Sequence, residues 1–92
     1  MHRAEAVIKN ETGLHARPAS IFVERASRFK SEIAVFKDSV RYNGKSVMSI
    51  LTLGASKGDR IQIEAEGEDE KKAVEELKNL IESSFGGQEE NG

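Results

Sequence analysis

The sequence predicts an α+β domain: a four-stranded, mostly antiparallel sheet with three helices on one face, in the order βαββαβα. Three observations lead there. Short segments with a two-residue apolar alternation recur four times, the pattern of half-buried strands. Three other segments repeat apolar residues at three- and four-residue spacing, the stripe of an amphipathic helix. No internal repeat and no long linker divides the chain, so the helices must cover one face of the sheet to make a single core.

Taken in order, Ala4 to Lys9 reads as the first strand, with Ala4, Ala6 and Ile8 on one side. Asn10 to Gly13 is turn chemistry. Ala19, Phe22, Val23 and Ala26 then form the stripe of the first helix, with Arg25 and Arg28 suited to its C-terminal end. Glu32 to Lys37 is the second strand, and Asp38-Ser39 a two-residue hairpin returning through Val40 to Asn43. A short apolar helix runs from about Val47 to Leu53, closed by Gly54. Asp59 to Glu66 alternates as the fourth strand, with Ile61, Ile63 and Ala65 inward. The last helix carries Ala73, Val74, Leu77, Leu80 and Ile81 on one stripe, behind an acid-rich start of Glu68, Asp69 and Glu70. Gly86-Gly87 ends it, giving one domain over residues 1–87 and a flexible tail over 88–92.

Ninety-two residues, 37% hydrophobic and 33% charged, support one modest core. There is no cysteine, which removes disulfides, thiolate nucleophiles and thiolate metal sites. No apolar run approaches the roughly 20 residues of a membrane span, and the polar N-terminus has no signal-peptide core. A cytoplasmic protein without membrane insertion is the expectation. A net charge of −2 argues against nucleic acid as the main partner.

The chemistry concentrates in Gly13-Leu14-His15-Ala16-Arg17-Pro18-Ala19-Ser20. Here a histidine stands directly before a helix start. The first N–H groups of a helix have no partner within it, and the macrodipole adds partial positive charge, so that end suits an anion. Pro18 is tolerated in a first turn, where its missing N–H removes no helical bond. Neutral imidazole is a nucleophile, and a phosphoryl group on its ring would lie among free N–H groups. Arg17 adds a planar fork of donors matched to phosphate oxygens. Thr12 and the N–H of Ala16 are further candidates for the same phosphate shell. His15 thus reads as a residue that accepts, holds and releases phosphate, although a polar residue at a helix start is the plainer alternative.

These eight residues resemble the active-site segment of the histidine-containing phosphocarrier (HPr) family of the bacterial phosphoenolpyruvate:sugar phosphotransferase system. A second block, Lys45-Ser46-Val47-Met48-Ser49-Ile50-Leu51-Thr52-Leu53-Gly54, is similar to the same family in register, and the similarity runs from about Ala4 to about Phe85. The resemblance implies an open-faced β-sandwich and a phosphate carried on Nδ1 of His15. It implies a stoichiometric carrier, not an enzyme, working as a monomer without a cofactor. It also implies partners: Enzyme I as donor and sugar-specific IIA domains as acceptors. Through Ser46 it adds HPr kinase/phosphorylase and a catabolite-control transcription regulator.

Ser46 stands where an N-cap belongs, and capping does not exclude regulatory phosphorylation. By resemblance Leu14, Ser20, Arg25, Val47, Met48 and Leu51 dock partners, with Arg17, Arg28 and Lys45 on the rim. Periodicity also places Leu51, like Leu53, in the core. A methionine suits a surface that must accept several shapes. Glu24 and Ser49 depart from the basic or small residues that many family members carry there. Tyr42 and Phe36 read as packing residues, His2 as a solvated side chain, and Lys71, Lys72, Glu75, Glu76 and Lys78 as the wet face of the last helix.

Three rival readings use the same chain. A phosphocarrier of the nitrogen-related phosphotransferase system would keep the histidine with dedicated regulatory partners. A binding module acting through Ser46 alone would not need it. A nucleic-acid-binding split βαβ domain would need aromatics on its central strands and a basic face, against four Phe, one Tyr and an acidic balance here. No metal is expected, since His2 and His15 lack supporting ligand spacing.

Overall fold

In the computed structural model, which describes residues 1–85, the order is β1 (His2–Val7), α1 (Ala16–Ala26), β2 (Glu32–Lys37), β3 (Val40–Asn43), α2 (Val47–Leu53), β4 (Arg60–Glu66) and α3 (Glu70–Glu82). The sequence-based expectations for Gly86-Gly87 and for a tail over 88–92 lie outside the described residues. The strands form one sheet, in the order β1-β4-β2-β3, and every neighbouring pair is antiparallel. The alternation decides which face is covered. Ala6, Ile33, Val35, Ile61, Ile63 and Ala65 turn inward against Phe22, Ala73, Val74, Leu77 and Ile81 of the helices. Removing one of the large members of this cluster to alanine costs about 2–5 kcal/mol.

The opposite face is open, as an open-faced sandwich requires. Phe36 lies there rather than in the core, half-buried beneath the Arg3 guanidinium at 4.5 Å from its ring centroid. Tyr42 does pack against the core, from the inward side of β3.

β1 begins two residues earlier than the alternation suggests, because its length is set by pairing with β4, from His2 opposite Ala65 to Val7 opposite Arg60. Its outer edge is not left bare. Lys78 donates to the carbonyl of Glu5 at 2.7 Å, and the Val7 N–H donates to the Glu82 carboxylate at 3.1 Å. Lys78 therefore faces the sheet edge rather than water alone. The hairpin between β2 and β3 has Asp38 and Ser39 both at positive φ, 52° and 68°, the geometry that matches strand twist.

The acidic start of α3 serves a purpose that dipole reasoning does not supply. Asp69 is the N-cap yet makes no side-chain cap bond. Its carboxylate instead accepts from the N–H groups of Lys30 and Ser31 and from the Ser31 hydroxyl, tying the entry of β2 to the entry of α3. These donors hold its carboxyl at about 2, below the ordinary carboxylate range. α3 ends at Glu82, ahead of the glycines, with Phe85 folded back into the core.

Candidate functional site

The start of α1 is built from the turn that precedes it. Gly13 adopts φ +65°, and a Cβ there would meet the Ala55 carbonyl oxygen at 2.4 Å, so both backbone and space require glycine. The Leu14 N–H donates to that same carbonyl at 3.0 Å, and the Leu14 side chain is buried. Pro18 and Ala19 are buried at the other end of the segment. The chain is thus pinned on both sides of His15, Ala16 and Arg17, which all remain exposed.

His15 is the N-cap of α1, with an extended backbone at φ −77° and ψ −172°, and its side chain makes no cap bond. Its carbonyl accepts the first helical bond, from the Ala19 N–H at 2.9 Å. The N–H groups of Ala16 and Arg17 belong to the first turn, which a helix leaves without internal partners. No acidic residue stands in that turn to offset the positive end of the dipole. Arg17 takes part in no ion pair among the described residues. Its basic neighbours do: Arg25 pairs with Glu76 at 3.3 Å, and Arg28 with Glu24 at 3.1 Å. Lys45 donates to the Phe29 carbonyl at 2.7 Å. Of these arginines Arg17, two positions after His15, is therefore the one without an ion pair among the described residues.

Thr12, Leu14, His15, Leu51 and Ala55 line one shallow cleft, which joins the histidine loop to α2. Two expectations change here. Leu14 is 5% exposed and serves as an anchor under the loop, so it offers no docking surface. Leu51 is 38% exposed and outside the core, because only Ile50 and Leu53 of α2 turn inward on so short a helix. Val47 and Met48 are exposed at 37% and 74%, and with Leu51 they form the apolar outer face of α2. Ser20 is exposed on α1, and Arg25 is half-buried against α3.

Ser46 caps α2, its hydroxyl accepting from the Ser49 N–H at 3.2 Å. Ser49 in turn accepts from the Asn43 N–H at 2.8 Å, so this departure from the family pattern ties α2 to the end of β3. Glu24, the other departure, is occupied by Arg28. The loop around Ala55, which supports the histidine turn, carries no sequence signal of its own, since its contribution is a backbone carbonyl. Among the described residues no cluster of acidic residues and histidines is placed to hold a metal ion, and no helix is long and apolar enough to cross a membrane.

An open antiparallel sheet, helices on one face, and an exposed imidazole without a cap bond at the start of the first helix suit a small phosphocarrier. The family model "PTS HPr component phosphorylation site" matches residues 2–83. The chain belongs to the HPr family of phosphocarriers of the phosphotransferase system. It is similar to the Phosphocarrier protein HPr of Borreliella burgdorferi, 48% identical over 83 residues that cover 90% of this chain and 96% of that one. It is also similar to the HPr-like protein Crh of Halalkalibacterium halodurans, 43% identical over 82 residues, 89% of this chain and 98% of that one. Among solved structures, HPr-C-His from Thermoanaerobacter tengcongensis superposes with a TM-score of 0.90 at 51% identity, covering 94% of this chain and 97% of the other.

Proposed function

We propose that this chain carries a phosphoryl group on His15, taking it from phospho-Enzyme I charged by phosphoenolpyruvate and giving it to sugar-specific IIA domains for sugar uptake. The observation that carries the reading is the exposed His15 side chain, which makes no cap bond, at the open first turn of α1, with exposed Arg17 two residues on and in no ion pair among the described residues. A neutral imidazole nitrogen of His15 attacks the phosphorus of the donor's phosphohistidine. The donor's P–N bond breaks as the new P–N bond forms, and one proton passes from the His15 ring to the departing imidazole. Oxygens of the transferred group meet the N–H groups of Ala16 and Arg17, the Arg17 fork and the Thr12 hydroxyl. Phosphoryl transfer asks mainly for positioning and charge stabilisation, which such a shell supplies.

Every residue of this site comes from one chain, so a monomer suffices, and the protein is a stoichiometric carrier acting in the cytoplasm. Val47, Met48 and Leu51 with Ser20 and Arg25 receive the partners, at an interface small enough to separate after each transfer. A second reading concerns Ser46. Its hydroxyl is only half-buried, and the similarity to an HPr-like Crh protein supports a regulatory phosphorylation there. A phosphate at Ser46 would keep a helix N-terminus as its counter-charge and set up to about two negative charges beside the docking face, repelling an acidic partner. HPr kinase/phosphorylase and a catabolite-control transcription regulator are the corresponding partners.

The test is incubation with a cognate Enzyme I and phosphoenolpyruvate, followed by intact mass, with His15→Ala in parallel. One acid-labile phosphoryl group, absent from the variant, is the expected result. Absence of transfer to the wild type would remove the sugar-system assignment and favour the nitrogen-related donor.

A further inference from the structure

We infer that Asn10 is a positioning residue for His15, holding the peptide from which the histidine hangs; the inference rests on the carrier reading of that histidine. Asn10 is 1% exposed, an unusual place for an amide in a surface loop. Its Nδ2 donates to the Gly13 carbonyl at 2.5 Å and lies 3.4 Å from the Thr12 hydroxyl oxygen. Its own carbonyl accepts from the Gly13 N–H at 3.2 Å. The Gly13–Leu14 peptide is therefore gripped at both polar ends: its C=O by the Asn10 amide, its N–H by the Ala55 carbonyl.

That peptide lies one residue before His15. The imidazole makes no cap bond, so its place depends on the backbone that leads into it. Rotating the Gly13–Leu14 plane would redirect the chain entering His15, and with it the ring, relative to the first-turn N–H groups of α1. A misplacement of about 1 Å is enough to cost on the order of a hundredfold in a transfer reaction. The same amide carries a burden, because its Oδ1 is buried with no hydrogen-bond partner among the described residues. An apolar residue would avoid that burden but leave the Gly13 carbonyl unpaired. Keeping a half-satisfied amide at this position makes sense if peptide orientation is what it provides.

The experiment compares wild type, Asn10→Ala and Asn10→Ser as acceptors from phospho-Enzyme I, alongside amide hydrogen exchange of each protein. For Asn10→Ala we expect kcat about tenfold lower with an unchanged KM, and faster exchange at Leu14 while core amides such as Ile63 stay protected. Asn10→Ser, which keeps a donor hydroxyl, recovers part of both, and it decides the matter alone if the alanine variant does not fold. A folded Asn10 variant with wild-type kcat, or one whose exchange rises uniformly across the chain, overturns the positioning role and leaves the carrier reading intact. A wild type that accepts no phosphate overturns both.

Discussion

Two helix starts lie on the same side of this sheet and are finished in opposite ways. α2 begins behind closed polar groups: Ser46 accepts from the Ser49 N–H, Ser49 accepts from the Asn43 N–H, and the Asn43 side chain accepts from the Lys45 N–H. α1 begins behind a histidine whose side chain makes no cap bond. Any helix end has the same unsatisfied N–H groups and the same dipole. What differs is whether the sequence spends that potential internally or holds it for a ligand. A serine cap converts it into stability, whereas the histidine leaves it open, as the proposed phosphoryl carriage on His15 requires.

Substitutions can break this contrast, and the largest effect falls on the open end. Arg17→Ala should lower the rate of phosphoryl transfer about ten- to a hundredfold in a coupled assay while leaving the melting temperature unchanged, because the side chain binds no other described residue. The next effect sharpens the contrast through α3, whose cap is spent on a neighbour. Asp69 is held at about 2 by the Ser31 hydroxyl and by the Lys30 and Ser31 N–H groups, against an ordinary value near 3.8. A depressed carboxyl stabilises the fold above its unfolded-state value and ceases to do so as pH falls through the folded one. Acid titration followed by circular dichroism should therefore show stability declining between about pH 4 and pH 2, with that portion absent in Asp69→Asn.

The closed end gives a smaller effect. Ser46→Ala should cost about 1 kcal/mol in denaturant unfolding, the usual loss for a serine cap. Ser46→Asp, which retains an acceptor for the Ser49 N–H, should recover most of it. The smallest effect is the most telling: His15→Ala should change stability by less than about 0.5 kcal/mol, since no cap bond is lost. A loss equal to that of Ser46→Ala would mean that both starts are capped alike, and the distinction would fall.

Much of this was readable from residue order. β2, β3 and α2 begin and end where alternation, the Asp38-Ser39 turn and Gly54 place them. His15 before a helix and Ser46 at a cap are local features, set by neighbours in sequence, and the family resemblance rested on those same blocks. The misses share a cause. Leu14 stands between Gly13 and His15, and Leu51 in an apolar run, and only tertiary packing decides that the first is covered and the second is not. Asp69 looked like a helix-dipole residue, but its partners lie 38 and 39 positions away. Asn10 looked like ordinary turn chemistry, and nothing in an asparagine's identity announces that its amide is buried. Periodicity reports which way a side chain faces within its own element; it does not report what another element brings to meet it.

The Lys78 and Glu82 bonds along β1 bear on how the sheet is kept from growing by a further strand. An unfilled strand edge is a template on which another chain can add a strand, and growth by that route is the beginning of aggregation. Here one outward carbonyl and one outward N–H of the long edge are already occupied by side chains from α3. The other edge, β3, is only four residues long, too little to nucleate an extended ladder. Among the described residues the long edge is thereby partly filled and the other edge is short, so neither offers an extended template for another strand.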